Sequence, residues 1–289
     1  MDVEKEKIHQ HYVPACYLAN FGVKGNNGRK SKIFFYDISE PKSGNETRIS
    51  SVNKFPTEKN FYDIPELEDN KKLLENFFGK IEGEYSKLLE KILQYVEQKK
   101  ANSKLVTFTQ SDRESIVGQF AMQIVRTKYY RDRFDSIYQT LHTAFPWGCL
   151  PKYNQEDFRR LHTLDLLNFK MANFYANLLN DRNWVFLVNH TKVPFFTSDN
   201  PAIFINNGKD VSAPLSPVAE QMTFFIPLSP MVAVELYHKN VVKKPEVFVH
   251  VYDEKSIKWY NINLARRCFR FIMSNQSDFS TLEVKDEQG

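Results

Sequence analysis

The side chains most able to do chemistry in this 289-residue chain crowd near its start, where His9-Gln10-His11-Tyr12-Val13-Pro14 runs on through Cys16-Tyr17-Leu18 to Phe21. A residue before proline is held in extended backbone and proline readily opens a helix, so Val13-Pro14 should mark a strand turning into a helix. In an extended segment side chains two apart share a face, which sets His9 and His11 together just ahead of the partly positive helix end. Two imidazoles there could serve as base and acid on a phosphodiester, or with a third ligand could hold a metal ion. They fit equally well as a structural pair whose ring nitrogens bond backbone carbonyls.

Two further motifs complete the candidate site. In Gln123-Ile124-Val125-Arg126-Thr127 the arginine has a planar fork suited to phosphoryl oxygens; the alternative is a buried cation clamped by Glu75 or Glu82. Thr197-Ser198-Asp199-Asn200-Pro201 follows a strand and offers Asp199, which with His9 and His11 would make a two-histidine, one-carboxylate set for a divalent metal. The same residues also suit an Asx turn without chemistry. Tyr12, Gln123, Ser198, Asn200 and Arg131 are the expected substrate contacts. The run Lys128-Tyr129-Tyr130-Arg131 with Arg133 suits base stacking and phosphate contact on RNA or DNA. His142, His162, His190, His238 and His250 read as surface or core filler, and Cys16 as a small buried thiol.

Composition narrows the classes. Lys and Arg number 39 against 35 Asp and Glu, and the resulting charge of +4 permits a polyanionic partner without demanding one. Cys16, Cys149 and Cys268 are widely spaced with no CxxC pair, which argues against a disulfide framework or a sulfur-ligated zinc module and fits a reducing compartment. The charged segment Met1 to Lys7 and the absence of a long apolar run lead us to expect a cytoplasmic protein with no membrane partner. There is no Walker loop, GxGxxG, HExxH, GxSxG or helix-turn-helix pattern, which disfavours nucleotide-driven motors, Rossmann oxidoreductases and serine hydrolases.

The elements that must position these motifs follow from hydrophobic period. Leu73, Phe77, Ile81, Leu88, Ile92 and Val96 predict an amphipathic helix, starting after Pro65 and reaching about Lys100. Ser111-Asp112-Arg113-Glu114 reads as a capping box opening a helix that carries Arg126 in its middle and ends near Phe145 at Pro146-Trp147-Gly148. A third helix is expected between Gln155 and Asn180. Short β-rich runs at 33–38, 48–52 and 60–64 precede the helices, and others at 184–188, 195–197, 202–205, 223–226, 232–236 and 246–252 follow them. The later runs lie too close together for helical crossovers, so their sheet should be largely antiparallel. Residues 253–272 read as helix and 275–289 as a fraying tail. The expected class is α+β, a central segment of about three helices plus a mostly antiparallel sheet from the C-terminal part and the N-terminal strands. Residues 1–289 read as a single unit, divisible into 1–64, 65–182 and 183–289.

The combination of His11-Tyr12-Val13-Pro14, Tyr17-Leu18 and Phe21 with Gln123, Arg126-Thr127, Thr197-Ser198-Asp199-Asn200-Pro201 and Pro227-Leu228-Ser229-Pro230 resembles the bacterial family designated domain of unknown function 4238. The resemblance covers nearly the whole chain. It implies that the separated motifs belong to one unit and meet in space, and it implies no settled activity. Two functional classes follow. One is a nuclease-like, phosphodiester-cleaving enzyme with His9, His11, Arg126 and Asp199 as catalytic residues. The other is a non-enzymatic binding or regulatory module recognising a small anion, nucleic acid or a protein partner.

Overall fold

The computed structural model describes residues 9–23, 31–39, 47–62, 73–100, 106–144, 153–206 and 216–282, and its architecture is α+β. At its centre is a five-stranded sheet built from β5 (Arg182–Asn189), β7 (Ile203–Asn206), β8 (Met222–Ser229), β9 (Val232–His238) and β10 (Glu246–Val251), in the order β10-β5-β9-β8-β7. All its pairings are antiparallel except that of β10 with β5. Every residue of β5 is buried because both faces of the sheet are covered. Trp184, Phe186 and Val188 turn into one core with helices α2 (Leu73–Lys100) and α3 (Gln110–Val125). Their neighbours Val185 and Leu187 turn into a second core with α7 (Glu254–Ala265).

The N-terminal strands do not join this sheet. Strands β2 (Lys32–Asp37) and β3 (Arg48–Ser51) form a separate four-stranded sheet with β11 (Phe271–Ser274) and the short β6 (Thr197–Ser198), in the order β3-β2-β11-β6. The opening motif supplies β1 (His9–His11), which pairs antiparallel with β4 (Thr57–Lys59) and so aligns His9 with Lys59 and His11 with Thr57. The strand expected at 60–64 thus lies a few residues earlier. The expected start of α2, the stop at 146–148 and the end of the tail fall outside the described residues.

Two helices expected to be continuous are broken. The helix through Arg126 ends at Val125, and α4 (Lys128–Ala144) starts afresh because Thr127 Oγ1 accepts the amide of Tyr130 at 3.2 Å. Its upstream cap is Thr109 with Asp112, two residues before the expected serine. The third helix divides into α5 (Gln155–Asn168) and α6 (Lys170–Asn180) at Phe169, whose φ of 57° lies in the left-handed region and whose ring packs on Phe77 at 5.1 Å. The last helix stops at Ala265, and the chain turns back through 266–270 into β11. Among the described residues no helix is long and apolar enough to cross a membrane.

One buried acid gives the fold a pH dependence. Glu235, in the interior of β9 and 2% exposed, accepts hydrogen bonds from Tyr237 and Tyr260, yet burial pushes its pKa up to about 7. The folded state therefore holds this proton more tightly than the unfolded chain, and stability falls as pH rises from the ordinary carboxylate range through pH 7. Glu235→Gln should remove that slope and, in urea melts, be more stable than the parent by about 3 kcal/mol at pH 8 while matching it near pH 4. Equal pH slopes in the two proteins would refute the assignment.

Candidate functional site

The strand-to-helix turn forms as expected, but α1 (Ala15–Leu18) is a single turn, whose Pro14 carbonyl accepts the amides of Tyr17 and Leu18 at 3.1 Å. Tyr12, Val13 and Ala15 around it are buried, so among the described residues no open anion cradle lies ahead of this short helix. Along β1 the side chains alternate. His9 is exposed, Gln10 is buried with its Oε1 accepting the Tyr62 amide at 2.7 Å, and His11 is partly covered with Nε2 3.0 Å from the Asn53 carbonyl.

The separated motifs do meet, through an interior hydrogen-bond network. Tyr17 Oη donates to the Pro227 carbonyl at 2.7 Å and lies 2.9 Å from Thr197 Oγ1. Gln123 Nε2 donates to the Tyr12 carbonyl at 3.3 Å, and Thr127 Oγ1 to Asn200 Oδ1 at 3.5 Å. Arg126, 2% exposed, donates through Nη2 to the His11 carbonyl at 2.8 Å and to Glu82 Oε1 at 3.1 Å, and its Nε faces Tyr62 Oη at 3.3 Å. Phe78 covers the guanidinium at 4.2 Å. Of the two acids considered as its clamp, Glu82 makes the bond.

Asp199 has no exposed surface. Its Oδ1 accepts the Phe269 amide at 2.8 Å, and its Oδ2 accepts those of Arg270 and Phe271 at 2.7 and 3.0 Å. Burial raises its pKa to about 6 and the amides pull against that rise, so at neutral pH the group is a carboxylate held by backbone dipoles. The adjacent Ser198 Oγ accepts the Asn200 amide at 3.1 Å, an ST-type turn in place of the Asx turn considered from sequence. Among the described residues no three His, Cys, Asp or Glu side chains are grouped to hold a metal ion, and the set His9, His11 and Asp199 is not gathered. Cys16 Sγ donates to the Glu82 carbonyl at 3.6 Å. His162 is buried with Nε2 2.7 Å from the Val125 carbonyl, and burial drives its pKa down to about 3, so its ring is neutral.

The first turns of α4 separate the motif network from an open cleft. On the network side Lys128 pairs with Glu58 at 2.8 Å, and Arg131, 5% exposed, lies 3.5 Å over the Phe61 ring and 3.5 Å from the same Glu58. On the other side Tyr129, Tyr130 and Arg133 face a cavity of about 740 Å³, closed by Asp165 of α5, Tyr175 of α6, Phe204 on the edge strand β7, and Arg267 beyond α7. Asn200 joins the two regions: it lines the cleft and donates to the Arg267 carbonyl at 2.7 Å. Burial raises the Asp165 pKa against the hydrogen bond from Tyr130 Oη at 3.3 Å, while Arg267 bonds Asn263 at 2.9 and 3.1 Å. Arg133 is exposed, and its charge opposes the burial-driven rise of the Tyr130 and Tyr175 hydroxyl pKa values. The cleft thus combines aromatic walls with two guanidinium groups, a chemistry suited to a flat ring that carries an anionic substituent. The run 128–133 signalled part of it, whereas Tyr175, Phe204 and Arg267 come from three other elements and share no motif.

A family model described as a protein of unknown function (DUF4238) matches residues 9–278. No curated protein and no solved structure matches the chain.

Proposed function

Because the chain belongs to the DUF4238 family, a group defined without an activity, its function has to come from its own side chains, and we propose that it is a binding module. Its ligand sits in the cleft beside α4 and carries an aromatic ring and a negative charge, as a nucleotide or a nucleic-acid end does. The observation that carries this reading is the division of roles along one stretch of helix. Lys128 and Arg131 are spent on Glu58 and Phe61, whereas Tyr129, Tyr130 and Arg133 open into a cavity of about 740 Å³. That volume is typical of small-ligand sites.

Phosphodiester cleavage by His9, His11, Arg126 and Asp199, with or without a divalent metal, is the second reading. It draws on one feature, the exposed imidazole of His9, and it would require Arg126 and Asp199 to give up the internal bonds they make. An anisotropy titration with a short labelled single-stranded oligonucleotide separates the two. At about 50 mM salt Arg133→Glu should weaken binding at least about tenfold with an unchanged melting temperature, and the oligonucleotide should be recovered intact. Unchanged affinity in Arg133→Glu would reject the cleft, and cleavage lost in His9→Ala would favour the second reading.

A further inference from the structure

The turn that follows α7 contributes a side chain to each of two cavities. Arg267 lines the cleft already described, and its neighbour Arg266 lines a second cavity of about 650 Å³ with Tyr36, Phe279 and Ile262. The Tyr36 and Phe279 rings stack with centroids 5.9 Å apart, and the partly exposed Tyr36 with the edge of the buried Phe279 gives this second cavity aromatic lining as well. Arg266 is exposed and makes no ion pair among the described residues, and its charge bears directly on Arg267. The third arginine of the turn, Arg270, is held by Asp37 at 2.6 and 2.8 Å. Among the described residues that line the second cavity the one carboxylate is Asp278, which accepts the Ser280 amide at 2.9 Å. Two hollows with aromatic lining next to adjacent guanidinium groups suit a single strand whose phosphates meet the arginines while unstacked bases turn to the rings.

We propose that the ligand is single-stranded nucleic acid that crosses the turn at Arg266-Arg267, placing bases in the α4 cleft on one side and in the Tyr36–Phe279 cavity on the other. This rests on the cleft reading above and adds to it a second subsite and a minimum length. It also moves the backbone contact from Arg126 and Arg131, both committed within the protein, to Arg266 and Arg267.

The test compares a labelled dinucleotide with an oligonucleotide of about eight residues, and with an abasic strand of that length, as RNA and as DNA. The longer strand should bind at least about tenfold tighter than the dinucleotide and should lose most of that gain when abasic, because charge alone does not fill the aromatic hollows. Arg266→Glu should weaken the long strand by about tenfold and the dinucleotide by much less, while Arg133→Glu weakens both alike. Equal affinity for long and short strands, or an Arg266→Glu protein that binds both as the parent does, overturns the crossing and leaves the cleft reading in place. An abasic strand that binds as tightly as the intact one overturns base recognition in both hollows, the aromatic part of the cleft reading included. Failure of every probe to bind at micromolar protein removes the cleft reading and this proposal together.

Discussion

Asp199→Ala is expected to lower the unfolding free energy by about 4 kcal/mol, one of the two largest losses among the motif side chains. The carboxylate accepts the Phe269, Arg270 and Phe271 amides, and it ties the turn after α7 to the start of β11. Alanine would take the acceptor away from three partly buried donors at once. Asp199→Asn should cost less, because its carbonyl can still serve the two amides at Oδ2 while its NH₂ meets only the Phe269 donor. Urea denaturation at neutral pH measures both. An alanine variant as stable as the parent would show that the carboxylate is not the clamp described, and would return Asp199 to the list of catalytic candidates.

Arg126→Ala should cost a comparable amount, about 3–5 kcal/mol, because it leaves Glu82 without its buried counter-charge and empties the space beneath Phe78. The double variant Arg126→Met with Glu82→Gln should recover much of the loss, since removing both charges also removes the desolvation burden. Arg126→Lys should be intermediate in stability, because an ammonium cannot reach the His11 carbonyl, Glu82 and Tyr62 Oη with one rigid fork. Where the lysine variant folds, it should bind the cleft ligand as the parent does. A stable Arg126→Lys protein that has lost binding would instead make Arg126 a ligand contact.

The local rules in the sequence carried far where one residue's geometry decides the outcome. Val13-Pro14 does turn a strand into a helix, and the 3.6-residue period of Leu73 to Val96 does produce α2. The same rules could not see the break at Arg126-Thr127, since a threonine there is compatible with a continuing helix until its hydroxyl turns to the Tyr130 amide. The Phe169 break is a tertiary effect, in which an aromatic contact with Phe77 holds a backbone conformation that phenylalanine seldom adopts. For the site, the shared motifs pointed correctly to a common location, but not to the direction each side chain faces. The partners of Asp199 are backbone amides 70 to 72 residues away and leave no trace in residue type. The cleft was half visible for a related reason: Tyr129, Tyr130 and Arg133 stand in one run, whereas their facing residues lie on α6, β7 and the turn after α7.

Photocrosslinking of a bound single-stranded oligonucleotide, followed by mass spectrometric mapping of the modified peptides, separates the cleft from the opening motif in one experiment. The account predicts adducts on Tyr129, Tyr130, Tyr175 or Phe204, whose rings line the cavity beside Arg133. Adducts confined to the segment from His9 to Tyr12, with those rings unmodified, would contradict it and move the site to the exposed face of β1.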